Sequence, residues 1–178
     1  GFYDPTYKYY YLNLGNALRA QGKNQEALEV FEQLIKEAEE YFSLIQPAGG
    51  VADKNKVLVS NRREIEAGAY FNLANIRDLL GDKDQARALY VKAIELSPRL
   101  LYAYDCLGDL YVGLGKINEA SQEFTRAIEV DQSYLPAYIK LAKIYKTLSW
   151  QDELILLYKK AIANNLDFFD AYYYTGNL

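Results

Sequence analysis

The chain has 178 residues, 51% hydrophobic and 25% charged, with a formal net charge of −4 and an isoelectric point near 5.0, which argues against disorder and against a nucleic-acid backbone as partner. It contains no histidine and a single cysteine, Cys106, so histidine-based triads, histidine-containing zinc sites and internal disulfides are excluded. No apolar run reaches the roughly 18 residues that span a membrane, and no membrane insertion, catalytic group, cofactor or metal is expected.

Asp4-Pro5 reads as a helix cap with proline in the first turn, so a first helix starts there. Its apolar stripe is Tyr11, Leu14, Gly15 and Leu18, and Gly22 is placed to close it in a left-handed turn. A second helix carries Ala27, Phe31 and Leu34. Helical character persists beyond Lys36, so this helix is expected to run long, to Ile45, where Pro47-Ala48-Gly49-Gly50 must end it. Residues 51–60 read as a loop. Asn61 followed by Glu64 resembles a capping box with asparagine in the lead position, so the third helix is expected to start near Asn61.

The third helix carries Tyr70, Leu73 and Ala74 and ends at Gly81. The fourth carries Ala86, Tyr90, Ala93 and Ile94 and is followed by Pro98. In the fifth, Tyr104, Leu107, Gly108 and Tyr111 fall at i, i+3, i+4 and i+7, one face of a helix, and Gly115 ends it. The sixth shows Ala120, Phe124, Ala127 and Ile128 on one face. The seventh and eighth carry Tyr138, Leu141 and Tyr145, then Leu154, Tyr158 and Ala161. Because Leu154 stands where the other units have alanine, this pair is expected to sit further apart, with Trp150 half covering the gap. Ala171, Tyr172 and Gly176 begin a further unit.

These elements recur every 34 residues, as in Tyr70, Tyr104, Tyr138 and Tyr172, each preceded by alanine. The same step links Tyr90, Phe124 and Tyr158. Only the interval from Tyr11 to Tyr70, 59 residues, breaks the period, by an insertion of 25. Small residues at Gly108 and Ala120 allow paired helices to approach closely, with Phe124 filling the space beyond. One hairpin cannot cover its own stripe, so successive hairpins must stack. The pattern W/Y-x2-L-G-x2-Y, then A-x3-F, then an optional proline resembles the tetratricopeptide repeat. The resemblance implies an all-α, right-handed superhelix (α-solenoid) of stacked antiparallel hairpins. A single array over 1–178 is expected, with repeats at 8–41, 67–100, 101–134 and 135–168, a partial one at 169–178, and an insertion at 42–66 that is either functional or a tolerated surface loop. Arg77 departs from the family pattern, which places an aromatic there. The chain opens on Gly1, lacks methionine and stops within a first helix of a repeat, so it is expected to be a piece of a longer protein.

Features that could suggest chemistry dissolve on inspection. Gly108-x4-Gly113-Leu114-Gly115-Lys116 is not a phosphate loop, because the lysine does not follow the second glycine and no Ser or Thr follows it. Glu37, Glu39 and Glu40 read as a solvated helix face. Most of the 18 tyrosines are expected to be structural, with those off the packing stripe as contacts for a partner.

In proteins of this family, the face of each first helix away from the packing stripe lines an inner groove that holds an extended peptide. Carried over repeat by repeat, that resemblance assigns Leu12, Asn13, Asn16 and Arg19, then Phe71, Asn72, Asn75 and Asp78. It continues with Tyr102, Asp105, Cys106 and Asp109, then Ile139, Lys140, Lys143 and Lys146, and finally Tyr173 and Asn177. Asn16, Asn75 and Asn177 share one place in their units. Each either holds a peptide backbone through its donor and acceptor or is merely polar and exposed. The groove is expected to be polarised, with Asp78, Asp105 and Asp109 an acidic middle and the three lysines a basic end. One subgroup of the family clamps acidic tails of heat-shock chaperones with lysine, asparagine and arginine. Asn16 and Asn72 match that clamp, but Leu12, Tyr102 and Cys106 stand in place of its basic residues. The resulting expectation is a non-catalytic scaffold for a protein or peptide partner, alternatively the regulatory arm of a larger enzyme or an assembly module. Self-association is expected through the C-terminal end, around Trp150, Leu154, Phe168 and Phe169.

Overall fold

The computed structural model describes residues 5–45 and 54–176. Among the described residues there is no strand, and nine helices follow in order: α1 (Pro5–Ala20), α2 (Asn24–Ile45), α3 (Lys54–Leu79), α4 (Lys83–Leu96), α5 (Leu101–Gly113), α6 (Ile117–Val130), α7 (Leu135–Thr147), α8 (Gln151–Ala163) and α9 (Phe169–Gly176). They form two compact units, Gly1–Leu100 and Leu101–Leu178. Within each, antiparallel hairpins stack as in an α-solenoid.

In the first unit α1 pairs with α2 and α3 with α4, while α2 and α1 both lie against α3. The core is built from Ala27, Leu28, Phe31 and Leu34 of α2 with Ile65, Ala69, Leu73 and Ile76 of α3, and Leu12 and Leu18 close it from α1. α2 reaches Ile45, as its sequence implies. α3 does not start near Asn61: it begins at Lys54, so residues 54–60 are helix and the capping-box reading fails. No glycine or proline lies between Lys54 and Gly68, and each added turn satisfies further backbone groups, so propagation carries the helix through the asparagine. The insertion therefore lengthens two helices. The break at 47–50 lies outside the described residues.

In the second unit α5 pairs with α6 and α7 with α8; α6 packs on α7, and α9 on α8. A Cβ added at Gly108 would stand 2.5 Å from the Phe124 ring, and one at Gly15 equally close to Phe31. Only a missing side chain permits those approaches. In α7–α8 Leu154, which stands where α6 has Ala120, is buried, and the two backbones run close over less of their length than in α5–α6. Trp150 is partly exposed against Tyr145, with ring centroids 5.8 Å apart. The residues expected to form a C-terminal apolar patch divide. Leu154 is buried, and Phe168 is buried edge-on against Tyr158 at 5.4 Å, while Trp150, Phe169, Tyr172 and Tyr173 are exposed.

Each hairpin turn closes in the same way. Gly22, Gly81 and Gly115 take φ of 75°, 86° and 72°, and Ser149 holds the fourth place at φ 59°. The following amide reaches back to the carbonyl five residues earlier. Lys23 donates to Leu18 at 3.0 Å, Asp82 to Arg77 at 2.9 Å, Lys116 to Tyr111 at 2.8 Å and Trp150 to Tyr145 at 2.9 Å. This satisfies a carbonyl that a helix end otherwise leaves open.

Two substitutions check this packing by urea denaturation. Gly108→Leu should lower stability by about 1–3 kcal/mol through overpacking against Phe124, whereas Asn13→Ala on an exposed face should stay within about 0.5 kcal/mol. Ser149→Gly should raise stability by about 0.5–1 kcal/mol, because relief of left-handed strain exceeds the extra chain entropy of glycine.

Candidate protein-binding surface

Two consecutive first helices, α5 and α7, lie in the second unit, and a cleft of about 290 Å³ opens between them. Phe124, Ile144 and Ile117 supply its apolar inner lining, Val112 and Leu148 its walls, and Asp109, Lys140, Lys143 and Thr147 its polar rim. Val112 is 43% exposed, so the cleft offers apolar surface to solvent.

The expected polarised groove is reorganised by ion pairing. Lys140 extends its ammonium to Asp105 Oδ2 at 2.7 Å and Asp109 Oδ2 at 2.6 Å, and the same nitrogen lies 5.6 Å from the Phe124 ring centroid. Burial pulls the lysine pKa down, but hydrogen bonds and charge from both carboxylates outweigh it and leave it above the usual lysine value. Lys146 pairs with Asp170 of α9 at 2.6 Å, and its ammonium lies 5.8 Å from the Tyr158 ring centroid. Lys143 is exposed and makes no ion pair among the described residues.

The remaining expected groove residues divide sharply. Tyr102 is 63% exposed, with its ring edge-on to Tyr134 at 6.4 Å. Asn13 is exposed and Arg19 half-buried. Asn16 is half-buried, and its Oδ1 is buried without a hydrogen-bond partner among the described residues. Asn72 is not a groove residue in the sense expected: it is 7% exposed, and its Nδ2 donates to Gly68 O of its own helix at 2.8 Å. Asn75 accepts from the Tyr90 hydroxyl at 2.7 Å, so its oxygen is already engaged. Asp78 pairs with Lys83 at 2.6 Å in the α3–α4 turn. Asn177 lies outside the described residues.

Sequence reading missed Val112, Ile117, Ile144, Thr147 and Leu148. A signal existed for Val112, which stands one 34-residue step from both Asp78 and Lys146 and so shares their face. Among the described residues no helix is long and apolar enough to cross a membrane, and no group of three or more Cys, Asp or Glu is placed to hold a metal ion.

The Lys140 bridge has a testable weight. Lys140→Met keeps the stem over Phe124 but leaves Asp105 and Asp109 without their shared cation, and should cost about 1–2 kcal/mol near neutral pH. Because the folded pKa is raised, this contribution is fully present below the ordinary lysine value of about 10.4 and is lost as pH rises through the folded one. Denaturation curves of the two proteins should stay apart through neutral pH and converge in strong alkali.

Tetratricopeptide repeat models match residues 8–41, 67–100 and 101–134. No curated protein matches the chain significantly. Among solved structures, the chain is similar to the first tetratricopeptide repeat domain of Spaghetti (RPAP3), solved with the HSP90 peptide SRMEEVD. That likeness has a TM-score of 0.60 and 20% identity, over 82% of this chain and 96% of that one. It is also similar to a tetratricopeptide repeat protein from Parabacteroides merdae (TM-score 0.59, 22% identity, 97% of this chain and 60% of that one) and to MamA (TM-score 0.51, 19% identity, 85% and 94%). At these identities the likeness speaks to the fold. With three matched repeats, the 34-residue period and the stacked hairpins, the chain belongs to the tetratricopeptide repeat family.

Proposed function

We infer that the chain is a non-catalytic interaction module that holds an extended segment of a partner protein against α5 and α7. The observation that carries this reading is the cleft itself, an apolar recess with a polar rim on consecutive first helices, sized for a side chain of a peptide. The repeat domain of Spaghetti was solved with an HSP90 peptide, which supports peptide holding by this fold. That particular ligand is not carried over, because Leu12, Tyr102 and Cys106 replace the basic residues of the acidic-tail clamp.

The ion pairing changes how the surface should be probed. Reversing Lys140 would set a third carboxylate beside Asp105 and Asp109 and disturb the fold, so the cleft is better blocked at Val112. Peptides selected from a displayed random library on the wild-type protein should bind Val112→Glu at least about tenfold more weakly. The melting temperature should change by only a few degrees, since Val112 is on the surface. Equal binding to both proteins would remove the cleft from the function.

A further inference from the structure

We propose that the segment held in the α5–α7 cleft carries an apolar side chain flanked on one side by a carboxylate and on the other by a cationic side chain. The proposal rests on the reading of the cleft as a peptide site and names its partner chemistry.

The two rims of the cleft differ in charge. On α7, Lys143 is exposed without an ion pair among the described residues, and Thr147 adds a hydroxyl one turn on. Lys146 does not serve this rim, being held by Asp170. On α5, Asp109 borders the cleft and shares the single ammonium of Lys140 with Asp105 one turn earlier, so this side keeps one net negative charge. Asp109 is 56% exposed, and Asp105 Oδ1 is buried with no hydrogen-bond partner among the described residues. The exposed Tyr102 ring stands one turn before Asp105 and is steadied by Tyr134. An aromatic face beside carboxylates favours a guanidinium or ammonium group. The Tyr134 hydroxyl is pushed up to about 12, first by burial and then by Asp105, Tyr102, Cys106 and Asp109, which marks this rim as electronegative. An apolar residue alone would fill the recess but leave both rims unmatched. A segment of uniform charge would match one and oppose the other.

The probe is a panel of fluorescein-labelled synthetic peptides with a central leucine. Arginine and glutamate are placed on opposite sides of it through short glycine spacers, in both orders, with glutamine replacing either or both as controls. Binding is read by fluorescence anisotropy at low and high salt. One order of the doubly charged peptide should bind about tenfold tighter than the neutral one at low salt, and the advantage should shrink as salt rises. Lys143→Glu should abolish the preference for glutamate and regain affinity when that residue is lysine; Asp109→Asn should abolish the preference for arginine. If the neutral peptide binds as tightly as the charged ones while Val112→Glu still blocks it, the charge assignment is overturned and the cleft reading stands. If no peptide binds, or binding ignores Val112→Glu, the cleft reading falls and this inference falls with it.

Discussion

The contact on which the rest depends is an aromatic ring laid against a residue with little or no side chain, across the two helices of one hairpin. Phe31 on Gly15 and Phe124 on Gly108 are its tightest forms, with no room for a Cβ. Dispersion and burial over a whole ring make each such contact strong, but it exists only at one separation and one rotation of the helices. That rotation decides which residues of the first helix are left pointing away from the hairpin. The surface available to a partner is therefore a consequence of the core.

The aromatic also has a choice of hydroxyl, and the choice reaches the surface. Where phenylalanine occupies the place, the neighbouring position holds Gly15 or Gly108; where tyrosine occupies it, Ala74 or Ala142. A buried hydroxyl needs a partner, and it takes one from the first helix. Tyr90 engages Asn75, and the Tyr158 ring lies 5.8 Å from the Lys146 ammonium. Phe31 and Phe124 make no such demand. Asn16 keeps an oxygen without a partner among the described residues, and a recess is left at Phe124, whose ring centroid lies 5.6 Å from the Lys140 ammonium. One hydroxyl in the core thus separates Asn75, engaged within its hairpin, from its counterpart Asn16, whose oxygen has no partner among the described residues.

Charge on the second unit obeys a similar economy of partners. Two carboxylates one turn apart on α5 would repel, and a lysine from α7 stands between them. The bridge ties two first helices together along the surface that a ligand would meet, so rigidity and recognition draw on the same residues. Lys146 does the equivalent for α9 through Asp170. What remains unmatched is small, one cation on α7 and the excess of one carboxylate on α5, and selectivity would reside in that remainder.

Much of the fold was legible in the residues, because its determinants are local. The spacing of apolar side chains sets the face of each helix, and the left-handed turns at Gly22, Gly81 and Gly115 favour a residue without Cβ. The long run of α2 to Ile45 also followed from helical residues with nothing to stop them. The start of α3 did not, since a favourable cap at Asn61 competes with cooperative propagation from Lys54, and the outcome is a balance of small terms. The candidate site was legible only as a set of faces. Whether Asn72 turns back to its own helix, whether Phe168 finds Tyr158, and whether Lys140 reaches Asp105 and Asp109 depend on what stands opposite. Periodicity within a helix fixes the direction of a side chain. Its neighbour across the gap, 31 or 35 residues away in the case of Lys140, is decided only when the two helices have packed side by side.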